Sequence, residues 1–185
     1  MSDKRLSEEA AEVLRFWFEA LTPEQWWRDQ TLDQQISARF LDLYHRLRRK
    51  VPEVWLDTPH GVLAAVLVLD QFPRNMFRGT AAAFATDAKA RQLADYAVAR
   101  GFDVGLSVDE RLFLYLPFEH SEDMADQERA LALISALGNP HYTDFARQHK
   151  DVIERFGRFP QRNAALARMS TMEEESFLAA AETQW

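Results

Sequence analysis

Cysteine is absent from the sequence, which excludes disulfides, thiolate metal sites and thiol nucleophiles. Glycine is scarce, with 6 residues in 185. These are scattered, so no Gly-rich loop can cradle a phosphate and no nucleophile elbow is present. No apolar run nears the roughly 20 residues that span a bilayer. Lysine is rare: of 22 basic residues, 4 are Lys and 18 are Arg. That balance accords with a GC-rich coding sequence, so only arginines in unusual local contexts are read as functional. There a planar guanidinium meets a carboxylate or phosphate. Asparagine occurs 3 times, and two of the three follow an arginine, as Arg74-Asn75 and Arg162-Asn163.

What is plentiful is apolar and aromatic bulk. Hydrophobic residues make up 47% and aromatic residues 12%, with 13 Phe and 5 Trp. This supports one domain over residues 1–185 with a sizeable core and argues against disorder. The five Trp, Trp26-Trp27 included, are read as core. The net charge of −7 disfavours nucleic acid and anionic membranes as partners. Met1–Arg5 leads into an acidic amphipathic helix and does not read as a signal peptide, so a cytoplasmic setting is the default.

The chain reads as a succession of caps and stops. Ser7 starts a helix carrying Val13, Phe16, Trp17 and Phe18. Thr22-Pro23-Glu24-Gln25 and Thr31-x-x-Gln34 are capping boxes. Ile36, Phe40, Leu43 and Leu47 form one helical face. Thr58-Pro59 opens the next helix, and Val62–Leu69 is apolar without a break. Periodicity does not separate a buried strand from a buried helix here. The Thr-Pro start and Ala64-Ala65 favour a central helix, apolar all round, which Pro73 is expected to end. Further helices are expected over 87–100, from Ser107 into a kink or break at Pro117, over 122–137 behind a Ser121 cap, and from Asn139-Pro140 to Gly157. A last one follows Ser170 or Thr171. The sum is an all-α protein of about eight or nine helices in antiparallel hairpins. No clean repeat near 34 residues is found.

Three segments stand out by mixing charge with aromatic residues and proline: 69–79, 113–123 and 157–163. The first offers Asp70, Arg74, Asn75 and Arg78, the second His120 and Glu122, the third Arg158, Arg162 and Asn163. His149 lies on the apolar stripe of Tyr142, Phe145, Val152 and Phe156, so it is expected to face inward. These ten residues are the candidate ligand-binding set. Arginine and asparagine after a proline stop can also donate to helix-end carbonyls, a purely structural use. The histidine and carboxylate spacing matches no metal motif, and neither a metal nor a cofactor is expected.

The three segments, with Phe16-Trp17-Phe18 and Phe84-Ala85-Thr86-Asp87, resemble the bacterial domain-of-unknown-function family 924 over nearly the whole chain. The resemblance implies an all-helical fold similar to tetratricopeptide repeats and carries no activity with it. The family usually has His where this chain has Gln161, and commonly Met where it has Glu119. The first departure weakens metal-based or His-based catalysis; the second adds a local carboxylate.

Three readings follow. The first is a helical module whose three segments line a concave site for a small anionic ligand or an acidic peptide. The second is an enzyme using His120 or His149 as general base beside Glu122, with arginines as electrostatic stabilisers. The third is a scaffold that takes a protein partner.

Overall fold

In the computed structural model, residues 6–26 and 30–180 are described; the expectations placed on Met1–Arg5 and Trp27 lie outside the described residues. Ser7 Oγ accepts from the Ala10 amide and starts α1 (Glu8–Leu14), which widens into a π-helical turn over Arg15–Glu19. The Thr22 amide donates to Gln25 Oε1 at 2.8 Å across the short turn Pro23–Trp26. Trp26 then stacks on Trp17 and donates its indole N–H to the Trp17 carbonyl. Helix α2 (Gln30–Arg49) buries Ile36, Phe40, Leu43 and Leu47 as their spacing predicts. After α3 (Glu53–Leu56), Thr58 caps α4 (Pro59–Val66).

Every residue from Val62 to Leu69 is 1% exposed or less, so the apolar run is the central buried helix. α4 packs against α1 and α3 and against two later helices, α6 (Asp87–Ala99) and α7 (Val108–Glu119). Pro73 does not end it. The chain makes a π turn over Leu67–Gln71 and continues as α5 (Phe72–Met76), with Pro73 in its first turn. A proline in the first turn removes no intrahelical donor of α5, and the wide turn absorbs the ring.

Pro117 likewise lies inside α7, which runs through it to Glu119. The cap of α8 (Met124–Ser135) is Asp123, which accepts from the Ala125 amide. The expected cap, Ser121, instead donates to Asp126 at 2.7 Å. Asn139 caps α9 (Pro140–Phe156), and Gly157 closes it at φ +67°, a backbone state that glycine adopts without strain. A capping box between Thr171 and Glu174 starts α10 (Met172–Ala180). Among the described residues the protein is all helical, with no strand. α6, α7, α8 and α9 pack each on the next, an order compatible with stacked hairpins.

Phe72 and Phe113 meet Trp17, and Phe72 also meets Phe40, which ties the π turn after α1 to α2, α5 and α7. Full burial of each such ring is worth roughly 1.5–3 kcal/mol. No helix among the described residues is long and apolar enough to cross a membrane.

Candidate functional site

The π turn and Pro73 together leave backbone carbonyls without helical donors. Pro73 has no N–H to offer the Leu69 carbonyl four residues earlier. The Thr86 hydroxyl donates to it instead, at 2.6 Å. The Arg74 guanidinium donates to the next carbonyl, that of Asp70. Thr86 therefore pins the start of α6 beside the turn, and Asp87 follows it directly. Arg74 meets Asp87 with two parallel hydrogen bonds of 3.0 Å each.

Asp70, 1% exposed, lies at the floor of this arrangement. His120, at the end of α7, directs Nδ1 to Asp70 Oδ2 at 2.8 Å. A carboxylate only accepts, so Nδ1 carries the proton and Nε2 keeps its lone pair. No hydrogen bond engages Nε2 among the described residues. Arg162 enters from the third segment. It donates to the His120 carbonyl at 2.8 Å and lies 3.7 Å from Asp87 Oδ2. Its guanidinium is held between two rings, 4.8 Å from the centre of Phe84 and 4.5 Å from that of Phe159. Behind His120, with ring centres 6.4 Å apart, is His149. Its Nδ1 is 3.0 Å from the Phe145 carbonyl and 3.3 Å from Glu119 Oε1.

Burial governs the ionisation here. Burial alone would raise Asp70, but Arg74 and His120 outweigh it and keep the carboxylate below its usual range. Burial and the Arg74 cation lower His120, against the opposing pull of Asp70. Burial, then the Asp70 charge, raise Glu119 to about 8. Burial lowers His149 to about 3. Burial and the neighbouring Arg74 pull Arg162 down to about 10. At neutral pH the cluster thus holds two arginines against two aspartates, with Glu119 and both histidines uncharged. Asp70 Oδ1 and Glu119 Oε2 are buried without a hydrogen bond.

The three segments therefore meet, through Asp70, Arg74, His120 and Arg162, with His149 behind them. The other candidates lie in two separate networks. Asn75 and Arg78 point to α2, where Asn75 Nδ2 and two guanidinium nitrogens of Arg78 each lie 2.8 Å from the Asp33 carboxylate. Arg158, Asn163 and Glu122 hold the C-terminal segment. Arg158 pairs bidentately with Glu174 at 2.6 and 2.8 Å and donates to the Met169 carbonyl. Asn163 bridges Ser170 and Arg168. Glu122 binds Arg168 with both oxygens and accepts from the Phe159 amide.

This corrects the expected pairing of the histidines with Glu122. Asp70 partners His120, and Glu119 partners His149. The reason is helical geometry: Glu122 follows the end of α7 and faces the returning segment at Phe159. Three contributors were not singled out, Asp87, Phe84 and Phe159, and Glu119 was noted only as a local carboxylate, not as the partner of His149. Phe84 and Asp87 stand in the quoted Phe-Ala-Thr-Asp stretch, and Glu119 and Phe159 lie inside the unusual segments, but nothing local marks them as partners. No group of three or more His, Asp or Glu side chains among the described residues is placed to hold a metal ion.

Comparison with known proteins agrees with this architecture. Residues 13–182 match the family described as bacterial protein of unknown function (DUF924). The chain is also similar to the solved structure of a protein of unknown function from Agrobacterium tumefaciens. The two share 45% identity over 93% of this chain and 97% of that one, with a TM-score of 0.87. A comparison with curated proteins returned no match. The chain belongs to the DUF924 family.

Proposed function

We propose that this DUF924 protein is a single cytoplasmic helical domain that binds a small carboxylate ligand, free or at a peptide terminus, at Arg162 beside His120. One observation carries the reading. The Arg162 guanidinium is clamped between Phe84 and Phe159, yet among the described residues its only hydrogen bond goes to a backbone carbonyl, and its nearest carboxylate stands 3.7 Å away. A guanidinium offers five N–H donors in a rigid fork that matches a carboxylate. Two rings fix the fork in advance, so little ordering cost remains for a ligand. The positive field of Arg74 and Arg162 is already offset by Asp70 and Asp87, which favours a single negative charge over a highly charged ligand. The net charge of −7 favours solubility.

The test is thermal unfolding with acetate, succinate and malonate, alongside NMR of the His120 ring. The expected result is ligand-dependent stabilisation with His120 shifts, both lost in Arg162→Gln. An Arg162→Gln variant that folds and keeps the full response overturns the site.

A second reading is favoured by the 2.8 Å contact of His120 Nδ1 with Asp70. A carboxylate on Nδ1 orients the ring and leaves Nε2 as a base, the logic of histidine general-base sites. Turnover of an activated acetate ester that disappears in His120→Gln supports it; turnover indifferent to that change counts against it.

A further inference from the structure

Away from this cluster, a surface pocket of about 320 Å³ opens between the C-terminal end of α2 and the side of α6. Its wall is apolar, with Val51, Leu93 and Tyr96. Its rim carries three cations, Arg49, Lys50 and Lys89, and no carboxylate lines it. In a chain of net charge −7 this is an unusual concentration of one sign. A second pocket, of about 540 Å³, shows the contrast. There Arg39 pairs with Glu12 at 3.1 Å, and Arg15 lies 3.8 Å from Glu8.

Among the described residues the cations of the smaller pocket have no such carboxylate partners. Arg49 and Lys50 make no ion pair among the described residues. Lys89 Nζ donates to the Leu47 and Arg48 carbonyls, at 2.8 and 3.0 Å. It thereby neutralises the negative end of α2 that would otherwise repel an anion. The acid two residues before it, Asp87, is committed to Arg74. Burial lowers the Lys89 pKa, and no acid opposes that shift. Lys89, Leu93 and Tyr96 lie on one face of α6, four and three residues apart, so the ammonium sits beside the apolar wall by helical geometry. Tyr96 is fixed there by its hydroxyl, which donates to the Leu56 carbonyl at 3.1 Å.

We infer that this pocket binds a phosphate monoester carried on a small apolar body, with Arg49, Lys50 and Lys89 around the phosphate and Val51, Leu93 and Tyr96 against the body. A phosphate monoester has a charge of about −1.5 to −2 at neutral pH and three acceptor oxygens, which suits two cations without ion pairs, Arg49 and Lys50, beside the ammonium of Lys89 better than a lone carboxylate does. The apolar wall distinguishes an ester from inorganic phosphate, which would use the rim alone.

The experiment is thermal unfolding of the full chain with phenyl phosphate, inorganic phosphate and benzyl alcohol. Phenyl phosphate at roughly ten times its Kd is expected to raise Tm by about 3–6 °C. Inorganic phosphate should give a smaller shift and benzyl alcohol none. The double variant Arg49→Gln, Lys50→Gln changes only exposed side chains, so it should unfold at the parent temperature without ligand and lose the phenyl phosphate shift. Arg162→Gln should keep it, which separates this pocket from the Arg162 site. No shift in the parent, an undiminished shift in the double variant, or an equal shift from inorganic phosphate each overturns the inference.

Discussion

His120 Nδ1 stands 2.8 Å from Asp70 Oδ2, although the two residues are 50 positions apart in sequence. The contact joins the π turn after α4 to the end of α7. Asp70 is buried, and its other partner is Arg74.

From that contact follows a tautomer. His120 should be protonated on Nδ1, the less common neutral form, with the lone pair on Nε2. Long-range nitrogen–proton NMR at neutral pH should show it. Asp70→Asn should release that preference. It should also cost about 3–5 kcal/mol in denaturant unfolding, because removing a buried charge strands its partners. A ring protonated on Nε2 in the parent contradicts the geometry.

The dependence on pH comes from Glu119 and His149. Glu119 is raised from 4.5 to about 8, so between those values the unfolded chain has lost a proton that the folded chain keeps. Its contribution to stability is therefore lost as pH rises through that window. His149 is lowered from 6.5 to about 3, so its contribution is lost as pH falls through that range. The slopes oppose each other between 4.5 and 6.5. Above 6.5 only Glu119 acts, and stability should fall by about 2 kcal/mol by pH 8. Asp70 faces Glu119, and His120, Arg162 and Arg74 act on His149. Urea unfolding across this window should show the decline, and Glu119→Gln should flatten it.

Arg158 fastens α10. It pairs with Glu174, which also caps the helix and contacts Asn163 at 3.4 Å. Arg158→Ala should speed amide exchange over residues 172–180 while leaving the response to carboxylates and to phenyl phosphate unchanged. A lost ligand response with unchanged exchange would assign Arg158 to recognition.

Gly61 is required by close approach. A Cβ there would fall well inside contact distance of the Trp55 carbonyl and lie 2.8 Å from Thr58 Oγ1, the atom that caps α4. Backbone cannot move aside as a flexible side chain can. Gly61→Ala should destabilise by about 1–3 kcal/mol in denaturant unfolding, as overpacking does.

The sequence by itself determined the helices and the buried one at their centre. Ser7, Thr58, Ser107 and Asn139 cap helices through bonds to amides two or three residues away. Gly101 and Gly157 adopt left-handed conformations where the helices stop. Such signals are local, so they survive without knowledge of the fold. Val62–Leu69 was legible as central because a helix apolar on every side must be surrounded. The three unusual segments were legible as a group for a related reason: buried charge requires partners from elsewhere in the chain.

Tertiary structure decided which partner each charge took. Arg74 and Arg78 are four residues apart, yet one meets Asp87 and the other Asp33. Arg158 and Arg162 are also four apart, and they turn to Glu174 and to the His120 carbonyl. The π turn after Val66 and the unbroken passage through Pro73 set where Arg74 stands, on α5, and the left-handed Gly157 after α9 precedes Arg158. The passage through Pro73 depends on Thr86, which arrives from the start of α6 and donates to the Leu69 carbonyl. A carboxylate finds its cation through space, and sequence separation places no bound on that distance.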